Sequence, residues 1–333
     1  MRWKNPWFDP LKYHHQLDGF RNLEPHLRKP GDVERWQKER KAQGLPHPPG
    51  GGYAAFTRQW WQKAELKGTD DRVWWLGHAS TLLRINGQYL LTDPVFSRRA
   101  SPIPFAGPER KTPAPLRIND LHQLDAVLIS HNHYDHLDRS TVGQISRRFP
   151  DTHFFVPLGL KRWFTRLGIR HVTELDWWQS FSWQGMTYTA VPAQHWSMRS
   201  FWDRNRSLWC GWIIESHPLR VWFSGDTGYT EGLADIALYR GPLDVALIPI
   251  GAYSPRWFMS SHHMDPQQAV TLWQQLSRPL TVPIHWGVFE LADESLDMPP
   301  QELLAALNDK GEEGQLFAPL RIGQSLPISK ILV

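Results

Sequence analysis

The stretch SHNHYDHLD at residues 130–138 decides the fold, because it brings four candidate metal ligands into six consecutive positions. These ligands are His131, His133, Asp135 and His136. The apolar run DAVLIS at 125–130 leads into them, so the pattern predicts a buried strand that ends in a polar loop. Imidazole nitrogen together with carboxylate oxygen is the ligand set that zinc and its neighbours prefer. A loop that only caps a helix is the alternative, but it gives no reason for three histidines and an aspartate so close together.

Three further candidate ligands stand alone at the ends of later apolar runs. His195 lies in PAQHWS, Asp226 in SGDTGY and His285 in VPIHWG. Each of them alone is more commonly a structural residue, but with the first loop they make five histidines and two aspartates. Seven ligands suit two metal ions bridged by one carboxylate, and they exceed what a single tetrahedral zinc ion needs.

The pattern around these ligands predicts a layered α/β body. An alternating segment at 72–96 turns at Asn86-Gly87, which is typical of a hairpin with a type I′ turn. Further strands are predicted at 125–130, 153–157, 186–193, 208–216, 220–226 and 244–251, and helices at 139–149, 157–168, 265–276 and 299–311. Sheets with interspersed helices imply one domain over residues 71–333. Residues 1–70 are rich in proline, tryptophan and charge, and predict an irregular arm packed on the body, with one short helix near 32–43.

Composition excludes several classes of protein. The chain is 41% hydrophobic and 21% charged, which is an ordinary globular balance. Its 37 Lys and Arg against 33 Asp and Glu form no dense basic stripe, so no nucleic-acid partner is expected. The single cysteine, Cys210, excludes an intramolecular disulfide and a cysteine-based metal site. The sequence shows neither a secretory signal peptide nor about 18 consecutive apolar residues, so we expect a cytoplasmic protein and leave peripheral membrane contact open.

The motifs as a set resemble the metallo-β-lactamase superfamily and, within it, the family of N-acyl-phosphatidylethanolamine-hydrolysing phospholipase D. The HxHxDH loop, followed by single His, Asp and His residues at later strand ends, carries the first resemblance. The second rests on motifs that run in order over roughly residues 72–325, whereas the arm matches poorly. They are GHAS (77–80), LTDPVFSRRASP (91–102), GPERK (107–111), AVLISHNHYDHLD (126–138), FVPLGL (155–160), ELDWW (174–178), PAQHWS (192–197), GDTGY (225–229), IPIGAYSPRWFM (248–259), MDPQQAV (264–270) and IHWGVF (284–289).

This resemblance implies an αββα sandwich with two Zn²⁺ ions per chain at the edge where the strand ends meet. It assigns His131, His133 and His195 to one ion. It assigns Asp135, His136 and His285 to the other ion. Asp226 would bridge the two ions. Asp93, in LTDP, would hydrogen-bond a ligand histidine and fix its tautomer, although an aspartate before a proline is also typical of a turn.

The implied reaction is hydrolysis of a phosphodiester by a hydroxide that bridges the two metals. Its products would be a phosphatidic acid and an N-acylethanolamine. The implied catalytic residues are Asp135, Asp226 and His263. His263 would reach the substrate phosphate, and the alternative is that it packs at the start of the helix at 265–276. His78, in GHAS, is expected to be buried and hydrogen-bonded rather than a metal ligand.

The segment 196–206, directly after His195, combines aromatic and basic residues. It predicts an apolar groove for acyl chains in which Phe201 and Trp202 touch the substrate and Arg199 meets its phosphate or headgroup. Tryptophan pairs that lie on strands are instead expected in the core.

Three hypotheses about function follow. The first is a dinuclear zinc phosphodiesterase of the phospholipase D type that acts on N-acyl-phosphatidylethanolamine or a related glycerophospholipid. The second is a lactonase or amidase on the same metal site, since one fold supports many reactions. The third is a non-enzymatic, membrane-associated regulator, which the complete set of seven ligands argues against. A homodimer is left open.

Overall fold

Apolar side chains on both faces of the strands after residue 72 fold the chain into two stacked β-sheets with helices outside them. The computed structural model describes residues 3–25 and 29–328. The predicted arm and domain also include residues 1–2, 26–28 and 329–333, which lie outside the described residues.

The described chain contains fifteen strands, eight α-helices and two 3₁₀ turns. In chain order, strands β1 to β15 are His15–Gln16, Gly19–Phe20, Arg72–Trp75, Thr81–Ile85, Gln88–Thr92, Ala126–Leu128, His153–Pro157, Val172–Leu175, Ser180–Trp183, Met186–Val191, Gly211–Ser216, Leu219–Phe223, Val245–Pro249, Leu280–Ile284 and Ser325–Pro327. Helices α1 to α8 are Asp32–Gln43, Gly52–Trp60, Arg139–Arg148, Lys161–Thr165, Asp235–Arg240, Arg256–Met259, Pro266–Gln275 and Met298–Asp309. The 3₁₀ turns are Ile118–Asp120 and Glu231–Leu233.

Several strands of each sheet run in the same direction, so the loops that follow them lie at the same edge of the sheet. The first sheet has the order β15-β3-β4-β5-β6-β7-β8, and the second has the order β14-β13-β12-β11-β10-β9. Strands β5 to β8 run parallel to one another, as do β12 to β14, and the remaining neighbours are antiparallel. Therefore β3, β5 and β6 end at the same edge of the first sheet, and β10, β12 and β14 end together in the second.

Alternating residues of the first sheet face two different cores, as a strand buried on both faces requires. Trp75 and Phe155 belong to the cluster that packs between the two sheets. Trp74 and Phe154 belong to a second cluster on the outer face, which also contains buried residues of α3 and α4. The first cluster continues around the second sheet to buried side chains of α7 and α8. The layers are thus helix, sheet, sheet, helix, which confirms the predicted αββα arrangement.

The predicted hairpin is confirmed, but one of its strands is divided. Asn86 and Gly87 have φ values of 49° and 76°, and a type I′ turn requires positive φ at both central residues. The part of the alternating segment before this turn forms two strands and not one, because the chain also turns between β3 and β4, where His78 has a φ of 53°. Strands β8, β9 and β15 and helices α5 and α6 were not predicted, and the helix expected at 157–168 is limited to α4.

The arm is more ordered than its composition suggests. Besides α1, which matches the helix expected near 32–43, it contains the β1–β2 ribbon and the helix α2. Trp36 of α1 stacks on Phe258 with ring centroids 4.8 Å apart, and Trp60 of α2 packs edge-on against Trp286 at 5.1 Å. Among the described residues, none of the helices has the length and apolar character needed to span a membrane.

Candidate metal centre

All seven predicted ligands lie at the edge where the parallel strands end. The loop 131–136 follows β6 of the first sheet, whereas His195, Asp226 and His285 follow β10, β12 and β14 of the second. Five of the seven are buried, and His133 and Asp135 are partly exposed. The structure therefore brings together residues that are up to about 150 positions apart in the chain.

Three histidines form the first group of converging ligand atoms. The Nε2 atom of His131 lies 2.8 Å from the Nδ1 atom of His133, which lies 3.2 Å from the Nε2 atom of His195. Burial lowers the pKa of His131 and His133 well below the usual value, and it lowers the pKa of His195 to about 4. Neutral imidazoles are the form that binds metal ions, so this group suits one ion.

The second group combines a carboxylate with histidines. The Oδ2 atom of Asp135 lies 3.2 Å from the Nε2 atom of His136 and 3.5 Å from that of His285. Burial opposes a charge on these two imidazoles, but the carboxylates of Asp226 and Asp135 outweigh it. They raise the pKa of His136 well above its usual value and that of His285 to about 9. The pocket therefore attracts positive charge.

Asp226 stands between the two groups. Its Oδ2 atom is 3.0 Å from the Nε2 atoms of both His136 and His285, 3.6 Å from that of His195 and 3.9 Å from that of His131. Burial alone would raise the pKa of Asp226, but the charges of His136 and His285 hold it well below the usual value. One carboxylate thus reaches both groups, as a bridging ligand must.

The donor set fits bound cations. The Oδ1 atom of Asp226 is buried and makes no hydrogen bond within the described part of the chain, and the Nε2 atoms of His136 and His285 point at the carboxylates of the other candidate ligands. A buried polar atom without a partner is costly, and a cation between these atoms would satisfy all three. Nitrogen and carboxylate ligands of this kind suit zinc and similar divalent metals.

Surrounding hydrogen bonds orient the ligand rings. Asp93 accepts from the Nδ1 atom of His136 at 2.6 Å and from the backbone N–H of Ser130 at 2.7 Å. The Nδ1 atom of His195 donates to the backbone carbonyl of His262 at 3.0 Å. In both histidines, this bond leaves Nε2 directed into the site. The contact expected for Asp93 is therefore present, and its loop contributes to the site as well as to a turn.

His78 is the residue whose proximity to the site the sequence did not reveal. It is buried and hydrogen-bonded, as expected, but its partner is the candidate ligand Asp135, with Nε2 2.9 Å from Oδ2. Its ring centroid lies 4.1 Å from that of His285, and it groups with Asp135, His136 and His285. A usable signal was its position directly after β3, which ends at the same edge as the ligand-bearing strands.

A wide groove opens onto both groups of ligands. Its volume is about 580 Å³, and His133, Asp135, Asp226 and His263 stand in its wall. The ring of His263 is 5.1 Å from that of His195 and 5.2 Å from that of His285. Most of the remaining wall is apolar. It includes Val33, Trp36, Trp196, Met198, Phe258, Met259 and Leu291.

The predicted substrate residues occupy three different environments. Arg199 borders the groove, but its guanidinium donates to the backbone carbonyls of Asn132 and Leu137 at 2.9 and 2.7 Å, so it holds the ligand loop in place. Phe201 lies at the mouth of the groove and is 96% exposed. Trp202 is 71% exposed and is not part of the groove wall.

The fold and this cluster define a class of protein, and the comparisons with known sequences agree. The family model described as a β-lactamase superfamily domain matches residues 88–286. The chain belongs to the metallo-β-lactamase superfamily and is a metallo-hydrolase of that fold.

Two relatives narrow the resemblance. The chain is 42% identical over 249 residues to N-acyl-phosphatidylethanolamine-hydrolyzing phospholipase D 1 of Caenorhabditis elegans, which covers 72% of this chain and 70% of that protein. It is 34% identical over 244 residues to the mitochondrial enzyme of the same description from Saccharomyces cerevisiae, covering 71% of this chain but 52% of the yeast protein. The predicted resemblance to this family is therefore confirmed.

Solved structures support the fold. A possible metal-dependent hydrolase from Veillonella parvula matches with a TM-score of 0.64 and 19% identity, over 78% of this chain and 100% of that chain. At this identity the likeness concerns the fold alone.

Proposed function

We propose that this protein is a dinuclear zinc phosphodiesterase of the phospholipase D type that cleaves N-acyl-phosphatidylethanolamine or a related glycerophospholipid. The observation that carries the proposal is the apolar groove that opens directly onto the two groups of metal ligands. The likeness to the nematode and yeast phospholipases supports the same reaction.

The shape and lining of the groove suit a long acyl chain. Its volume of about 580 Å³ is in the range of sites that enclose a large organic ligand. Each methylene removed from water contributes about 0.8 kcal/mol, so a few acyl carbons along this wall determine affinity. A small soluble ester would leave most of the wall unused, and this favours a lipid over the substrates of a small-molecule lactonase or amidase.

The residues around the site have different roles in the proposed hydrolysis of a phosphodiester. When bound, two divalent metals supply Lewis acidity, which activates water and stabilises charge on phosphoryl oxygens. Asp226 and Asp135 balance the charge of the ions. His263 lies in the groove wall beside both groups, where its imidazole can hold a phosphoryl oxygen as charge accumulates on it. Cleavage on the headgroup side of the phosphorus yields a phosphatidic acid and an N-acylethanolamine.

The surface around the groove mouth suits contact with an anionic membrane. Phe201 at the mouth of the groove and its chain neighbour Trp202 supply large apolar side chains at the surface. A neighbouring depression of about 740 Å³ shares Pro102 and Tyr134 with the groove and is rich in arginine. Arg139 and Arg147 line it, together with Arg98 and Arg99, which pair with Glu109, and Arg199, which donates to the ligand loop. Basic side chains attract anionic headgroups, and exposed aromatic rings insert at the interface, so lipid could enter the groove from the bilayer.

A substrate panel tests the proposed reaction. Purified protein loaded with zinc is given N-acyl-phosphatidylethanolamine, a short soluble phosphodiester, a lactone and a β-lactam. We expect release of an N-acylethanolamine from the lipid, with a specificity constant above that for every small substrate. Faster turnover of the lactone or β-lactam, with no cleavage of the lipid, would contradict the proposal and favour the second hypothesis.

The membrane contact predicts a selective effect of replacing Phe201 and Trp202 with serine. Because both side chains are exposed, the double variant should fold and keep its metals. We expect it to bind anionic vesicles roughly tenfold more weakly and to lose a similar factor in turnover of vesicle lipid, since two large apolar side chains no longer reach the interface. Sedimentation with vesicles and product analysis measure both quantities.

A matched control comes from Leu238 and Tyr239, which are 77% and 67% exposed but lie in α5, outside the groove wall. Their replacement with serine should leave vesicle binding unchanged. Turnover of a short soluble phosphodiester should be the same in all three proteins. If the Phe201 and Trp202 variant loses activity equally on the soluble substrate, the two residues support the site and do not contact the membrane.

A further inference from the structure

The backbone of the candidate ligand His195 is held by a residue of the N-terminal arm. Beyond the end of β10, this backbone has left the sheet, and its buried N–H and carbonyl need partners elsewhere. The Oδ1 atom of Asn22 accepts from the N–H of His195 at 3.0 Å, and the Nδ2 atom of Asn22 donates to the carbonyl of His195 at 2.7 Å. One buried amide therefore satisfies both polar groups of a residue 173 positions away.

Asn22 is itself fixed from the body of the protein. The indole N–H of Trp209 donates to its Oδ1 atom at 2.9 Å and to the carbonyl of Ala193 at 2.9 Å. The side chain of Gln194 donates to the carbonyl of Glu24, so the arm and the ligand loop are also joined one residue away from His195. These bonds leave the amide of Asn22 one orientation in which all of its partners are satisfied.

A buried carboxylate anchors the preceding part of the arm. Asp176 accepts from Lys12 at 2.6 Å and contacts the Nε2 atoms of His14 and His15 at 2.7 and 3.0 Å. Burial alone would raise the pKa of Asp176, but the hydrogen bonds from His14 and Lys12 lower it, so the carboxylate is charged. The ring of His14 also stacks on Trp177 at 4.3 Å. The arm is thus attached firmly enough to carry a positioning residue.

We propose that Asn22 is a positioning residue of the metal centre, and that the N-terminal arm is through it an integral part of the site. The inference rests on the proposed role of His195 as a ligand. Metal–ligand distances tolerate only about 0.2 Å of variation, so the backbone of a ligand on a loop has to be held still. Without Asn22, a buried N–H and a buried carbonyl would have no partner, and the loop would shift to reach water.

The test is the metal affinity of the Asn22→Ala variant. Loss of a hydrogen-bonded partner that orients a ligand typically lowers metal affinity about 10- to 100-fold. We expect a loss of this size for one of the two ions, measured by zinc content after dialysis against graded chelator. In cobalt-loaded protein, the visible absorption of the site should change, because it reports the ligand geometry. Excess zinc should restore full occupancy.

Asn5→Ala is the matched control. Asn5 is a buried asparagine of the same arm that donates to the carbonyls of Gln16 and Gly19 at 3.0 and 2.8 Å, all within the arm. This variant should keep the zinc content and the cobalt spectrum of the unaltered protein. An equal loss of zinc in both variants would mean that arm docking in general matters, and the specific role of Asn22 would be wrong.

A second variant covers the case in which Asn22→Ala fails to fold. Asn22→Asp keeps the size of the side chain and the acceptor for the N–H of His195, but it places an oxygen against the carbonyl of His195. It should therefore fold and still lose zinc. Unchanged zinc affinity in both Asn22 variants would overturn the proposal. Neither readout uses a substrate, so a protein that binds zinc as expected but cleaves no phospholipid would contradict the proposed function alone.

Discussion

Replacing Asp226 with alanine is expected to remove at least one metal ion per chain and to lower hydrolysis to nearly the background rate. The reason is that the Oδ2 atom of Asp226 lies 3.0 to 3.9 Å from ligand nitrogens of both groups, so its loss affects both ions. It would also leave His136 and His285 without the carboxylate that favours positive charge in this pocket. Elemental analysis and the phospholipid assay on the same preparation measure the two losses.

Two further variants test whether the loss of metal is specific to the carboxylate of Asp226. Asp226→Asn keeps the size of the side chain and should show the same deficiency in a folded protein. Asp125→Ala removes a carboxylate that accepts from the N–H of Tyr89 at 2.7 Å, at the opposite end of β6 from the ligand loop, and should keep the metal content. A fully active enzyme with one metal ion would contradict the dinuclear assignment.

Replacing His263 with alanine should leave both metals in place and reduce the rate about 10²-fold or more. His263 lies in the groove wall, close to the ligand rings of both groups. Removal of one donor that stabilises developing charge costs about 10²- to 10³-fold in other enzymes. The rate constant at saturating lipid, together with the metal content, checks this expectation.

His263→Gln provides the comparison, because its amide retains a hydrogen-bond donor. It should recover part of the lost rate without any change in metal content. Loss of metal in the alanine variant would instead show that His263 is a metal ligand. Its ligand atom lies within 4.8 Å of those of His195 and Asp226, so this alternative is structurally feasible. Unchanged kinetics would instead assign it to packing at the start of α7.

Much of the centre could be predicted because its local signals are strong. The HxHxDH loop is short, and each later ligand follows an apolar run, so strand ends and ligands coincide in the sequence. The type I′ turn at Asn86-Gly87 was similarly visible, since positive φ at two adjacent residues restricts the choice of side chains.

The missing parts depend on contacts between distant residues. Nothing near Asn22 indicates that its amide holds His195, and nothing near Arg199 shows that its guanidinium is engaged by the carbonyls of Asn132 and Leu137. The position of His78 beside the metal ligands was not predicted, because the apolar pattern of residues 72–85 continues through the break between β3 and β4. The proline-rich composition of the arm predicted an irregular segment. Composition carries no information about the tertiary contacts that order this segment on the body.

The division of ligands between the two sheets has a thermodynamic consequence. Each proposed ion takes ligands from the loop after β6 in the first sheet and one histidine from the second, so it would act as a cross-link through the sandwich. A ligand that binds only the native state stabilises it by about 2.7 kcal/mol when its free concentration is 100 times its dissociation constant. Unfolding should therefore require release of both ions, and the melting temperature should rise with free zinc and fall with chelator. Resistance to heat would then depend on the metal supply of the cell as well as on the packing of the core.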